Sequence, residues 1–242
     1  MVKHLGNNNF PDLTLYNPNY LDRVKRVGGD RSLYNGIDYW NAYEFAYLNS
    51  RNQSVFETIE LKIPSNSFYT VESKSLKLYL ASFFNKKFYS PQAPYKLIAR
   101  DIQNLIRSPV KVQKKIKFLI PPKSILLNTS KNLISKNKVI KFEGFRSVCP
   151  VTSQPDWASI YFHSTTDAID ASKLNSYLKS FRLRGDFHET CIESIFAYLL
   201  SEFSITNLTV FGRFLRRGGI DINPIRGTAK RLIFKNFRDF NQ

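Results

Sequence analysis

The 242-residue chain is short of several things. It has two cysteines, Cys149 and Cys191, three histidines, one methionine, 10 glycines and 11 prolines. Two cysteines build no disulfide framework, and the polar, Asn-rich opening Met1–Phe10 does not read as a secretory signal. A reducing, cytoplasmic setting with both thiols free is therefore expected. No apolar run approaches the ~18 residues a membrane helix needs. Glycine and proline are too sparse for a collagen-like or disordered chain. There is no Gly-x-Gly-x-x-Gly, no Walker loop and no His-Glu-x-x-His, since the relevant run reads His188-Glu189-Thr190-Cys191-Ile192. A Rossmann cofactor site is thus unsupported. Acidic residues are scarce too: 19 against 36 Lys and Arg, a net charge of +17.

What is present is an ordinary globular composition, 43% hydrophobic and 23% charged, long enough for one large or two small cores. The basic excess suggests a polyanion or a phosphorylated cofactor, but the cations are scattered. The densest cluster is Lys111, Lys114, Lys115 and Lys117, and no nucleic-acid motif accompanies it.

The chain reads as two similar halves. Tyr79-Leu80-Ala81-Ser82-Phe83 recurs as Tyr177-Leu178-Lys179-Ser180-Phe181. Each copy closes a helical pattern and is followed by a Phe (Phe88, Phe187). A second helical stretch comes next, Lys96–Ile106 or Glu189–Phe203, then a strand-like run, Val110–Ile120 or Leu208–Leu215. Strand candidates precede each copy at Val55–Ile63 and Ala158–Phe162. This order predicts an α+β protein with an N-terminal module over residues 1–120, a linker over 121–141 opened by Pro121-Pro122, and a C-terminal module over 142–242. The halves differ in their polar residues. The second has Cys149, Asp156, His188 and Glu189; the first has Glu72-Ser73-Lys74-Ser75-Leu76-Lys77. Such complementary loss suggests one composite site.

Several residues are chemically eligible. Cys149 is separated from Asp156 by a segment stiffened by Pro150 and Pro155, which suits a nucleophile and a proton carrier held at fixed separation. The plainer alternatives are a packing cysteine and a turn aspartate. His188-Glu189 opens a helix, where an acidic residue also serves the helix dipole. Lys74 and Lys77 share a helical face beside a helix start, an arrangement that can hold a phosphate. Arg216-Arg217-Gly218-Gly219 offers paired cations and close backbone approach, or simply a turn. Cys149, His188 and Cys191 could instead form an open zinc set.

The run Cys149-Pro150-Val151-Thr152-Ser153-Gln154-Pro155-Asp156-Trp157 resembles the nucleophile segment of the NADPH-dependent 7-cyano-7-deazaguanine reductases. Glu72–Tyr79, Phe187-His188-Glu189, Arg216–Pro224 and Asp38–Glu44 resemble further motifs of that family, in the same order. The resemblance implies a tunnelling fold of two tandem modules, each an antiparallel sheet with two helices on one face. It implies nitrile reduction in the supply of the queuosine base of tRNA. Cys149 would form a covalent thioimide and Asp156 would carry protons. Val71, Glu72, Ser73, His188 and Glu189 would hold the base, and Ser73, Lys74, Arg217 and Gly218 would contact NADPH. No metal, no membrane and no direct nucleic-acid partner is implied, and the two-module relatives imply a homodimer. The rival readings are a zinc-dependent pterin-type hydrolase of the same fold and a non-catalytic base- or tRNA-binding module.

Overall fold

A computed structural model of the chain describes residues 13–27, 31–127, 136–165 and 169–242. The opening Met1–Phe10 and residues 128–135 of the expected linker lie outside them. Among the described residues there are ten strands: β1 (Arg23–Lys25), β2 (Asn35–Leu48), β3 (Ser54–Pro64), β4 (Tyr69–Val71), β5 (Lys111–Lys114), β6 (Ile125–Leu126), β7 (Val139–Val148), β8 (Pro155–Ser164), β9 (Leu208–Phe214) and β10 (Ile220–Gly227). Four α-helices accompany them: α1 (Ser73–Ala81), α2 (Ala93–Ile106), α3 (Ala171–Lys179) and α4 (His188–Phe203). The class is α+β in two modules, as expected. Among the described residues no helix is long and apolar enough to cross a membrane.

Two compact units divide the chain. The first takes in described residues of Met1–Arg26, Tyr39–Lys117 and Arg216–Asp221; the second, those of Val27–Asp38, Phe118–Leu215 and Ile222–Gln242. In the first, the sheet runs β5-β3-β2 and a small β1-β4 ladder stands beside it. Ile59, Leu61 and Ile63 are all fully buried, the period-two signature of a strand with one face in the core. Tyr79, Phe83, Phe88 and Phe45 pack edge-to-face or stacked with centroids 5.1–6.0 Å apart. The strand expected over Val110–Ile120 is shorter, because Leu119 bridges Phe237 instead of continuing along β3. Lys114 and Lys115, in the densest basic cluster, pair with Glu57 (2.8 Å) and Glu60 (2.7 Å) of β3. Part of the apparent polyanion signal is therefore a strand-to-strand charge match.

In the second unit the sheet runs β10-β9-β8-β7-β6. Its pairs are antiparallel apart from β6–β7, which is parallel. Alternation along β7, β8 and β9 sends Phe145, Ala158, Ile160, Phe162, Val210 and Phe214 to one face, where they form a core with α3 and α4. The buried positions of α4, Cys191, Ile192, Ile195, Phe196 and Leu199, make one helical stripe. Gly212 lets that stripe come close, because a Cβ there would lie 2.7 Å from Ile192 Cδ1 and 2.8 Å from the Phe214 ring. Gly212→Ala is expected to lose ~1–3 kcal/mol through overpacking, read as a lower urea midpoint. An unchanged midpoint would mean that α4 is not seated on this glycine.

The repeated pentapeptide recurs as one local structure. α1 and α3 both end on it, with the Ser82 hydroxyl donating to the Tyr79 carbonyl and the Ser180 hydroxyl to that of Tyr177, each at 2.7 Å. Phe83 and Phe181 are both fully buried. At the α4–β10 seam of the second unit, Arg226 is fully buried. It bonds Asp38 Oδ1 and Glu193 Oε1, each at 2.7 Å, and its guanidinium faces the Tyr34 ring.

Candidate active site

Cys149 follows β7 and Asp156 is the second residue of β8, so the hairpin between these strands sets their relation. Ser147 pairs with Asp156 and Val148 with Pro155. The Cys149 N–H donates to the Gln154 carbonyl at 2.8 Å, and the Ser153 N–H donates back to the Cys149 carbonyl at 3.0 Å. Ser153 closes the turn in the left-handed region, φ +55°. Cys149 therefore shares a sheet face with Ser147 and lies diagonally across from Asp156, a relation that places Cβ atoms about 7 Å apart or less. That face is the one covered by the helices. Cys149 is half-buried and Asp156 is buried.

α4 begins beside this hairpin, with Phe187 at its extended N-cap. His188, its first residue, stacks on Phe214 with ring centroids 3.9 Å apart and planes within 5°. The imidazole Nδ1 stands 3.3 Å from the Ile222 carbonyl and Nε2 stands 3.3 Å from Asp156 Oδ2. A carbonyl oxygen only accepts, so Nδ1 carries a hydrogen. Nε2 is thereby turned toward the Asp156 carboxyl, close enough for a proton to pass between the two groups. Glu189, in the first turn of α4, is buried.

Cys191 lies one turn further along α4. It is fully buried, and burial pushes its thiol up to about 12, so it stays protonated at neutral pH. Among the described residues no group of three or more His, Cys, Asp or Glu side chains is gathered closely enough to hold a metal ion. The zinc set of Cys149, His188 and Cys191 is not assembled.

The other expected site residues fall in the first unit. Val71 ends β4 and is buried. Glu72 is the N-cap of α1, its carboxylate accepting from the Lys74 N–H at 2.9 Å and the Ser75 N–H at 2.7 Å. Ser73 and Lys74 form the first turn of that helix. Arg217 and Gly218 lie in the turn between β9 and β10, closed by an Arg217 N–H to Ile220 carbonyl bond of 2.9 Å. This turn lies against α1: a Cβ on Gly218 (φ +55°) would stand 3.0 Å from Lys77 Nζ, and one on Gly219 (φ +79°) would stand 2.6 Å from Glu44 Oε2. A small open pocket of about 80 Å³ lies there, lined by Glu44, Lys77, Leu80, Gly218 and Gly219 among others.

The fold thus gathers Cys149, Asp156 and His188 at one corner, and Ser73, Lys74, Arg217 and Gly218 on and against α1. Sequence reading missed Phe214 and the Ile222 carbonyl, which fix the imidazole. Ile222 lies within a motif already singled out. Phe214 looked like any apolar strand residue.

Comparison with known proteins shows the family. Residues 16–114 match the family described as nitrile reductase, 7-cyano-7-deazaguanine-reductase N-term, and residues 155–232 match QueF-like protein. The NADPH-dependent 7-cyano-7-deazaguanine reductase of Coxiella burnetii (strain Dugway 5J108-111) is 37% identical over 227 residues, covering 86% of this chain and 82% of the relative. That of Aromatoleum aromaticum is 34% identical over 230 residues, covering 86% and 81%. That of Burkholderia vietnamiensis is 32% identical over 257 residues, covering 94% of each. Similarity of this extent, over both modules, places the chain in the family of NADPH-dependent 7-cyano-7-deazaguanine reductases.

Proposed function

We propose that the protein reduces the nitrile of 7-cyano-7-deazaguanine to the aminomethyl group through a thioimide on Cys149, with Asp156 as proton carrier. The observation that carries this reading is the placement of Cys149 diagonally across from an Asp156 whose carboxyl faces His188 Nε2 at 3.3 Å. A nitrile carbon is a poor hydride acceptor. The Cys149 sulfur attacks and forms a C–S bond while one C≡N electron pair moves onto nitrogen; the thiol proton passes to Asp156, and Asp156 returns it to that nitrogen. The product is a thioimide whose C=N carbon accepts hydride readily. The first hydride adds to that carbon and gives a tetrahedral thiohemiaminal whose C–S bond is intact, so the tether keeps it in place while the cofactor exchanges. Expulsion of the thiolate then leaves an imine, and a second hydride and proton give the amine.

NADPH supplies the two hydrides when bound. The residues assigned to it fit a phosphate-bearing dinucleotide. Ser73 and Lys74 stand at the positive end of α1, and the Gly218-Gly219 turn packs its backbone directly against Lys77 and Glu44, which sets the Lys77 cation beside that helix start. The base is assigned to Val71, Glu72, Ser73, His188 and Glu189. Carboxylates suit the N–H edge of a guanine-like base, where paired hydrogen bonds discriminate strongly. In this reading the protein is a cytoplasmic homodimer in the supply of the queuosine base and needs no nucleic acid for turnover.

Intact-mass spectrometry of the reduced protein with 7-cyano-7-deazaguanine and no NADPH tests the chemistry. A mass gain equal to the base is expected, and none with soluble substrate would overturn the covalent route. Asp156→Asn keeps the shape but carries no exchangeable acid proton. Its kcat for NADPH oxidation should fall ~10²–10⁴-fold; wild-type turnover would assign the proton to another group.

A further inference from the structure

The sheet of the second unit has a covering on the face opposite its helices. Tyr161 of β8 and Phe211 of β9 point there and pack against Phe234 and Phe237, with centroids 4.9–6.4 Å apart. Arg213, also on that face, is fully buried and donates through Nη1 to Asn236 Oδ1 at 2.8 Å.

Gln242 closes this covering, and its amide is used to capacity. Oε1 accepts from Arg213 Nε at 2.8 Å and from the Asp239 N–H at 3.0 Å. Nε2 donates to the Phe214 carbonyl at 2.7 Å and to Asn223 Oδ1 at 2.8 Å. The same Asn223 oxygen accepts from the Phe214 N–H at 3.1 Å. Gln242 and Asn223 together hold both backbone polar groups of Phe214. The Phe214 side chain passes to the other face, where it stacks on His188. A shift of this backbone moves the ring, the ring moves the imidazole, and the imidazole is bonded to Asp156.

We infer that Gln242 is a positioning residue for the reaction, fixing the Asp156–His188 pair from the opposite face of the sheet through Phe214. This rests on the reading of the site proposed above. Titratable or charged groups on the elements that carry the pair are Cys149 on the hairpin, Glu189 and Cys191 on α4, and Asp186, which is paired with Arg184 before α4; the bonds of Gln242 go to Arg213, Asp239, Phe214 and Asn223.

Gln242→Glu is the sharpest variant. It is isosteric and keeps acceptors for Arg213 and the Asp239 N–H, but it replaces the donor facing Phe214 O and Asn223 Oδ1 with an acceptor. Gln242→Ala serves as the second variant. Asn236→Ala is the control, since it removes a bond to the same Arg213 without touching Phe214. Each is assayed for adduct mass, thermal midpoint, KM, and kcat across pH. Gln242→Glu and Gln242→Ala should lower kcat roughly 10- to 100-fold, as misplacement distant from the chemistry does. They should also displace the pH profile of kcat and leave KM near that of the wild type. Asn236→Ala should lower the thermal midpoint and keep the wild-type profile. The inference is overturned if the Gln242 variants lose only thermal stability, or if Asn236→Ala displaces the profile equally. Either Gln242 variant decides the matter should the other fail to fold. A wild-type protein that forms no adduct would remove the underlying reading instead, a result distinguishable from both.

Discussion

Cys149→Ala should give no base-sized mass gain and should lower kcat by on the order of 10⁴-fold or more, the scale seen when an enzymatic nucleophile is deleted. The argument begins with the two thiols. Cys191 is fully buried and its thiol is pushed up to about 12, so it is neither accessible nor ionised. Cys149 is half-buried at the end of a strand, on the face shared with Asp156. Without its sulfur no C–S bond forms, and the nitrile remains a linear, poorly electrophilic group that hydride does not attack. Substrate binding should survive, because the assigned base contacts lie elsewhere. Equilibrium binding of the base and NADPH oxidation, measured on the same preparation, separate these effects. An adduct that persists in the variant would transfer the nucleophile to another residue.

Arg226→Met is expected to cost about 3–5 kcal/mol of stability, because it leaves buried carboxylates without their counter-charge. Burial by itself favours loss of the guanidinium proton, but Asp38 and Glu193 outweigh it and hold the group charged. Both bonds measure 2.7 Å and the arginine has no solvent exposure. Removing the cation strands Asp38 and Glu193 in a site that water does not reach. The measurement is the urea midpoint at neutral pH, with Asp38→Asn and Glu193→Gln added to Arg226→Met as a rescue. Neutral amides remove the stranded charge, so the combined variant should recover part of the loss. If Arg226→Met matched the wild type, the cluster would be contributing no net stability.

Much of the site could be read from the sequence because its parts are local. Cys149 and Asp156 are ends of one hairpin, and the two prolines between them marked its stiffness. The helix starts at Glu72 and His188 also fell where the polar residues placed them. The long-range parts could not be read. Asp38 and Arg226 meet across 188 residues, and nothing in either neighbourhood announces the other. Phe214 is one of 20 phenylalanines, and its stacking on His188 depends on the pairing of β9 with β8 and β10. Gln242 drew no reading from the sequence, because its four bonds reach back to β9, β10 and Asp239. The strand expected over Val110–Ile120 was overextended because alternation continues in the sequence after its partner changes.

The alternation of β8 and β9 has an evolutionary corollary. Asp156, Ala158 and Ile160 face the helices, while the intervening Trp157, Ser159 and Tyr161 face the other way. A substitution alters one of these positions, but an insertion or deletion of one residue reverses them all. It would set Trp157 where Asp156 stands, and would do the same to Arg213 and Phe214 if it fell in β9. Lineages of this module are therefore free to drift in side chain while being held to constant length between Ser147 and Phe214, except in the connections outside the strands. Length changes should accumulate instead in connections such as residues 204–207 before β9, where a change in chain length shifts no strand register.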